Sequence, residues 1–323
     1  MKLSEEHPEL YHYTNKEGLE GIITSQSLWA TRYDCLNDSE EMLSFEKILK
    51  NYYRKDIEAL LREKRAKIIE EEVMKLFPGK DAVDSLMGYC MVIFRKALLM
   101  DNFAVPYITS FCSAREEYEK NNGRLSQWKR YGGEDGYALV FDAQRLEDLM
   151  SMEGKSFKYV MLNINSVVYD DGSVPQQLFT EIEQLRKCII DTFGHILFGL
   201  SKLEFTSEIL GGIMQCMARC KHQGFIEEKE VRLIAFMPSA NSYKGIMPLR
   251  EIKTSYSDKK KKDTAHIELF KKRDNVHEIC EFNLPITKII VGPSVDKKER
   301  AEDLVKFLNN QKVEVAVSET PLI

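Results

Sequence analysis

The chain has 323 residues, of which 43% are hydrophobic and 30% are charged, and these proportions are those of a globular protein in water. The formal net charge of −5 gives no general attraction to nucleic acid or to an anionic membrane, so any contact with phosphates must be local. No apolar run approaches the roughly 18 residues of a membrane span.

The N-terminus and the cysteines both favour a cytoplasmic protein. Residues 1–9 are polar and acidic, unlike a secretory signal. The seven cysteines are scattered and odd in number, which suits a reducing compartment better than a set of disulfides. We therefore expect a cytoplasmic location and no membrane partner.

The chain begins with two short strands separated by a helix. Residues 10–14 predict a strand, and Asn15 then predicts the N-cap of a helix whose buried face includes Leu19 and Ile23. Residues 27–31 have the apolar and β-branched content of a second strand.

The rest of the chain predicts more short strands and two helical insertions. The insertions cover about 41–100 and 176–221, and the lysine-rich segment 242–265 predicts a mobile loop. Strands are predicted at 107–112, 137–142, 160–169, 231–236, 279–284, 286–291 and 313–317, and helices at 143–150 and 296–311. Because strands and helices do not alternate regularly, the pattern argues against a doubly wound parallel sheet. We predict a single α+β domain over 1–323.

Three glutamates stand at the start of the predicted strand 231–236. Along a strand, side chains alternate between faces, so Glu228 and Glu230 are expected to share one face and Glu227 to point away. A carboxylate at the edge of a core strand is partly desolvated, which suits a base or a charge stabiliser. The alternative is a solvated turn in which Glu230 and Arg232 are partners on the same face.

The first strand carries a second candidate group. Alternation places His12 and Thr14 on one face and Tyr11 and Tyr13 on the other. A histidine beside a hydroxyl can hold a ribose or an amide through paired hydrogen bonds. The alternative is a core histidine whose ring nitrogens are satisfied within the protein.

Trp128 and Tyr131 flank the glycine-rich turn 132–136, which is a candidate border of a ligand pocket. We expect Trp128 to be buried against Tyr131 and the strand at 137–141, where it would support the pocket wall. The Cys216, Cys220 and His222 spacing does not match the usual zinc hooks, so no metal site is predicted.

Several of these segments occur together in a pattern that resembles a widespread bacterial family of uncharacterised domains. The segments are His-Tyr-Thr at 12–14, Leu-Asn-Asp-x-Glu-Glu at 36–41, Ser-Gln-Trp at 126–128 with Tyr-Gly at 131–132, and Glu-Lys-Glu-Val-Arg-Leu at 228–233. That family in turn resembles the ADP-ribosyltransferase superfamily, especially its DNA-modifying toxins. The resemblance implies a split β-sandwich that holds NAD in a bent form, with two helical insertions.

The resemblance also implies roles for individual residues. Glu230 would be the catalytic glutamate, with Glu228 as the alternative, and Tyr33 would flank the nicotinamide. The implied NAD-binding residues are His12, Tyr13, Thr14, Tyr33, Asn37, Asp38 and Trp128. We therefore expect His12 and Glu230 to lie on adjacent or facing strands and to line one pocket from the same face. Side chains on opposite faces would count against one NAD molecule that contacts both residues. As an edge carboxylate, Glu230 is expected to contribute little to the core.

The implied activity is NAD-dependent ADP-ribosyl transfer by a toxin or a phage-defence effector, with nucleic acid or protein as the acceptor. When nicotinamide leaves the ribose, positive charge develops at C1′, and a carboxylate can stabilise it and remove a proton from the acceptor. The alternatives are an NAD glycohydrolase with the same fold and a binding module without catalysis.

Overall fold

The computed structural model describes most of the chain. It covers residues 2–36, 41–62, 74–75, 81–86, 88, 92, 104–170, 178, 182–183, 186, 190, 207–240, 243–257, 262–272, 283–309 and 311–321. Asn37, Asp38 and most of the two predicted helical insertions lie outside the described residues. The predicted strand at 279–284 also lies largely outside them.

In the described ranges, ten strands form one sheet and two more form a small parallel pair. The strands are β1 (Glu9–Thr14), β2 (Leu28–Arg32), β3 (Ala104–Ser113), β4 (Tyr137–Asp142), β5 (Met161–Ser166), β6 (Val168–Asp170), β7 (Cys220–His222), β8 (Glu230–Pro238), β9 (Ile252–Ser257), β10 (Lys262–Leu269), β11 (Ile286–Val291) and β12 (Glu314–Val317). The large sheet runs β12-β11-β4-β1-β3-β2-β10-β9, while β8 pairs with β3 and β5. Within it only β11 and β12 are parallel. A mostly antiparallel sheet with helices confirms the predicted α+β class.

The described part of the chain also contains α-helices. They are α1 (Leu3–Glu6), α2 (Lys16–Ser25), α3 (Glu41–Leu61), α4 (Glu117–Asn122), α5 (Leu125–Gln127), α6 (Ala143–Ser156), α7 (Ser207–Arg219) and α8 (Lys297–Leu308). The predicted start of α2 is confirmed, because the side chain of Asn15 accepts a hydrogen bond from the Gly18 N–H at 3.0 Å. Leu19 and Ile23 are buried, as their spacing on one face predicted.

Two hydrophobic clusters cover the two faces of the sheet. The larger includes Leu10, Phe111 and Leu233, and the smaller includes Tyr11 and Cys112. Neighbours along one strand therefore belong to different clusters, as strand alternation requires. Both faces of the central strands are buried, which explains why β4 and β8 read as almost continuous apolar runs.

The sheet forks at β3. One edge of β3 pairs with β8 along residues 104–112. On the opposite edge, β2 pairs at 107–108 and β1 pairs at 112–113. Between them, residues 109–111 have no strand partner on that edge within the described chain. The sheet is therefore open at this point.

Two sequence predictions are wrong in detail. The predicted mobile loop at 242–265 contains β9 and part of β10, which pair as an antiparallel hairpin from Ile252↔Ile267 to Ser257↔Lys262. The single strand predicted at 160–169 is divided at Val167 into β5 and β6, and these belong to different sheets.

Candidate functional site

Side chains take the place of strand pairing in the fork. The Ser110 carbonyl lies 2.9 Å from Nδ1 of His12, and the Thr109 hydroxyl donates to the Trp29 carbonyl at 2.9 Å. A cavity of about 170 Å³ opens here. Its lining residues are Tyr11, His12, Tyr13, Trp29, Thr31, Leu36, Ile108, Thr109, Ser110, Phe111, Cys112, Gln127, Tyr131, Glu228 and Glu230.

The contact with Ser110 fixes the tautomer of His12. A carbonyl oxygen only accepts, so Nδ1 carries the proton and, in the neutral ring, Nε2 is an acceptor. Burial lowers the pKa of His12, and the hydrogen bond to Ser110 offsets only part of this effect. His12 thus lines the cavity as a neutral ring with one acceptor nitrogen.

His12 and Glu230 line the same cavity, but they do not lie on adjacent or facing strands. The strand β3 lies between β1 and β8. In register, Tyr11 is opposite Cys112 and Cys112 is opposite Glu230, so these three share one face and His12 alternates to the other. The expected shared face is therefore wrong. The cavity borders both residues because it lies where the sheet is open.

Glu228 and Glu230 meet at one ammonium group. Nζ of Lys221 donates to Oε2 of Glu228 and to Oε2 of Glu230, both at 2.8 Å. Glu228 ends a 3₁₀ helix (Gln223–Glu228), and Lys229 then adopts a left-handed conformation with φ 43°. The prediction that Glu228 shares a strand face with Glu230 is therefore wrong. This turn, and not an extended strand, brings the two carboxylates together.

Glu230 is not an edge carboxylate. It is 5% exposed, and its oxygens also accept from Arg232, at 2.8 Å from Nε to Oε1 and 3.2 Å from Nη2 to Oε2. The expectation that Glu230 contributes little to the core is wrong. Arg232 is the same-face partner that the alternative interpretation named, but the pair is buried and not solvated.

The surrounding cations control the charge of this cluster. Burial by itself raises the pKa of Glu230, but Arg232 and Lys221 outweigh it and bring the pKa down to about 2. Burial also disfavours the charge on Lys221, yet Glu230 and Glu228 raise the pKa of its ammonium above the usual value. Glu230 and Lys221 are therefore both charged at neutral pH.

Arg130 is the third cation at the cluster. Its Nη1 donates to Oε1 of Glu228, and its guanidinium lies 5.6 Å from the ring centroid of Tyr131 and 4.9 Å from that of Phe225. The Arg130 side chain is about one-third exposed, whereas Lys221 is buried. The contact of Glu228 with Arg130 is accordingly the one that a ligand could displace most easily.

Several residues of the predicted NAD-binding set do not line the cavity. Thr14 is the last residue of β1, and Tyr33 begins a short 3₁₀ turn (Tyr33–Cys35). Asn37 and Asp38 lie outside the described residues. Tyr13 does line the cavity. The structure therefore brings together only part of the predicted set.

The predicted burial of Trp128 is confirmed. Trp128 is 3% exposed, and its ring meets that of Tyr13 edge-on with centroids 4.8 Å apart. Its Nε1–H donates to the Asn122 carbonyl at 3.0 Å. Tyr131 packs against the same cluster. Trp128 does not line the cavity itself, but it packs against Tyr13, which does.

Three residues at the site were not predicted from the sequence, namely Lys221, Trp29 and Gln127. Lys221 falls at the end of a predicted helical insertion, and nothing in its neighbours indicates that it bridges two glutamates. Trp29 was predicted only as part of a strand, but the residue is 52% exposed and its ring stacks on His266 with centroids 4.0 Å apart. An outward tryptophan in a short strand is the signal that could have revealed it.

Residues 127–233 match the model of a family described as a protein of unknown function (DUF2971). The matched segment contains Gln127, Lys221, Glu228 and Glu230 but not His12. No curated protein and no solved structure matches the chain.

The described residues lack two kinds of feature. No helix among them is long and apolar enough to cross a membrane. No group of three or more His, Cys, Asp or Glu side chains in the same part of the chain is arranged to hold a metal ion.

Proposed function

We propose that the cavity at the fork binds the nicotinamide end of NAD and that the protein is an NAD-dependent ADP-ribosyltransferase. The observation that carries this proposal is that His12 borders one cavity with Glu228 and Glu230, although it is distant in sequence from both glutamates. The fork in the sheet also supports a split β-sandwich as the fold type, since it opens a cleft between β1 and β2.

The size of the cavity limits what enters it. A volume of about 170 Å³ is below the range of roughly 300–1,000 Å³ that is typical of sites enclosing a whole drug-sized ligand. The cavity therefore suits one substituted ring, and the adenosine half of NAD would lie outside it. Tyr11, Tyr13 and Tyr131 offer aromatic surface to a pyridine ring.

His12 would orient the substrate. As a neutral ring it offers Nε2 as an acceptor, which suits a ribose hydroxyl or the amide N–H of nicotinamide. The hydrogen bond to Ser110 fixes the ring, so little conformational freedom is lost when the substrate binds.

The two carboxylates would have different roles. A general base works best when its pKa is near the operating pH, so Glu230, with a pKa of about 2, is a weak base but a permanent negative charge. Glu230 would stabilise the positive ribose centre and hold Lys221. Glu228, whose partner Arg130 is partly exposed, would accept the proton of the attacking group.

The experiment is incubation with NAD labelled in its adenylate half, in the presence of protein or of nucleic acid. Label on a macromolecule supports transfer, and labelled ADP-ribose in solution supports the alternative NAD glycohydrolase. Absence of both would contradict an NAD-consuming enzyme and favour a binding module.

The matched variants are Glu228→Gln and Glu268→Gln. Glu268, like Glu228, is a carboxylate with two cationic partners, Lys253 and Lys271, but it does not line the cavity. Glu228→Gln should lower NAD turnover by about 10²–10⁴-fold through loss of the base. Glu268→Gln should leave turnover within a factor of about 3, because Glu268 does not line the cavity and its two lysine partners are partly exposed. Equal effects of the two variants would contradict the role of Glu228.

A further inference from the structure

Gln127 presents an unused hydrogen-bond donor at the candidate site. The residue is 2% exposed, and among the described residues no group accepts from its buried Nε2. Gln127 also lines the cavity at the fork. Buried polar groups without a partner are rare in native proteins, so each one requires an explanation. Because Nε2 has almost no accessible surface, a ligand in the adjacent cavity supplies the missing acceptor once the amide group rotates towards it.

The backbone around Gln127 is unusual and well anchored. Gln127 ends the three-residue helix α5, and the chain continues as a π-helix from Trp128 to Gly132. Single π turns occur frequently at functional sites. The backbone N–H groups of Gln127 and Trp128 both donate to the Arg124 carbonyl, at 3.0 and 3.1 Å. This geometry holds the start of the Gln127 side chain in place.

The other polar walls of the cavity have the opposite hydrogen-bonding character. Glu228 and Glu230 present carboxylates, which accept hydrogen bonds and do not donate them when ionised. A ligand group that meets both Gln127 and a carboxylate must therefore accept on one side and donate on the other. A primary carboxamide has an acceptor oxygen and two donor N–H groups in one plane.

We infer that Gln127 determines specificity for a carboxamide, by donating from Nε2 to the carboxamide oxygen of the nicotinamide ring. The inference rests on the proposed function, which places that ring in the cavity. The carboxamide nitrogen would then donate to Glu230, while Glu228 stays available to the attacking group. A ligand without the ring would gain nothing from Gln127.

The test compares NAD with ADP-ribose, which lacks the nicotinamide, by calorimetric titration of the full chain. The variant is Gln127→Met, which has nearly the same shape but no donor. We expect the dissociation constant for NAD to rise by roughly 2- to 10-fold, the effect of one neutral hydrogen bond. The dissociation constant for ADP-ribose should not change. The thermal midpoint of the variant without ligand should be unchanged or higher, because a buried donor without a partner has been removed.

Ser126→Ala is the control. The Ser126 hydroxyl is also buried and without a partner among the described residues, but Ser126 does not line the cavity, so its loss should not affect NAD binding. Unchanged NAD affinity in Gln127→Met, or an equal loss for NAD and ADP-ribose, would overturn the inference and leave the proposed function standing. If the wild-type chain binds neither NAD nor nicotinamide, both fail together.

Discussion

Arg232 and Glu230 form a bidentate ion pair although only one residue separates them along β8. Strand alternation places both side chains on one face, and both are almost completely buried. Arg232 also donates to the Ala218 carbonyl at 2.8 Å. Arg232 thus joins β8 to the end of α7, and Glu230, the carboxylate that the proposed function uses, holds Arg232 in place.

Glu230→Gln should affect both stability and activity. The substitution removes the charge that balances Arg232 and Lys221, and breaking a buried pair is strongly destabilising, so we expect the free energy of unfolding at pH 7 to fall by about 3 kcal/mol. Turnover per folded molecule should fall by about 10²–10³-fold if Glu230 stabilises the positive ribose centre. Urea unfolding and NAD consumption measure the two effects. The exposed Glu20→Gln is the control and should change stability by less than about 0.5 kcal/mol.

The stabilisation by Glu230 should disappear in acid. Its pKa falls from the usual 4.5 to about 2 in the folded protein, so the stabilisation is complete above about pH 4.5 and is lost as the pH drops towards 2. This shift corresponds to about 3 kcal/mol. Urea unfolding of the wild type and of Glu230→Gln at pH 7, 5 and 3 measures the difference between them. The difference should be the same at pH 7 and 5 and smaller at pH 3, and a constant difference would contradict the pairing.

The local elements could be predicted because their signals are local. The bounds of β4 and β11 follow from apolar runs that end at Asp142 and Gly292, and the start of α2 follows from Asn15. The hairpin β9–β10 could not be predicted in this way. Its strands contain many polar and charged residues, so the lysines suggested a solvated loop, and the pairing with β2 that orders β10 is not local.

Only part of the candidate site could be predicted from the sequence, because its other residues come together through non-local contacts. His12 and Glu230 are distinctive residue types at strand positions, and the structure brings both to one cavity. Lys221 and Gln127 depend on tertiary contacts, which no spacing reveals. The fork in β3 depends on which strands share one edge of it, and this is a property of the topology.

Protonation of His12 should weaken NAD binding at acid pH. Burial lowers its pKa below the usual 6.5, so the ring is neutral at pH 7 and Nε2 can accept. As the pH falls through this lowered pKa, Nε2 gains a proton and the acceptor is lost, so NAD affinity should be constant from pH 8 to 7 and decrease only at a pH below the usual 6.5. Calorimetric titration across this range measures the effect. In His12→Gln the amide does not titrate, so the decrease should vanish, and an identical pH profile in the variant would contradict the role of His12.

Replacement by alanine should have opposite effects on stability at two glycines. Gly123 has φ +71°, and an added Cβ would lie 2.5 Å from Cζ2 of Trp128, so Gly123→Ala imposes both backbone strain and a clash with the core. We expect the free energy of unfolding to fall by more than about 1 kcal/mol. Gly21 lies inside α2, and its added Cβ would meet no atom of the described chain within 4 Å. Gly21→Ala should raise the free energy of unfolding by up to about 1 kcal/mol, because alanine is the better helix former.

Urea unfolding of both variants tests the packing behind the cavity independently of any ligand. Trp128 supports the cavity wall through Tyr13, so displacing its ring in Gly123→Ala should also weaken NAD binding. Gly21→Ala should leave NAD binding unchanged. If Gly123→Ala is as stable as the wild type, the Trp128 ring does not pack against residue 123, and its role in supporting the cavity wall is wrong. If it is destabilised but binds NAD normally when folded, Trp128 acts only as a core residue.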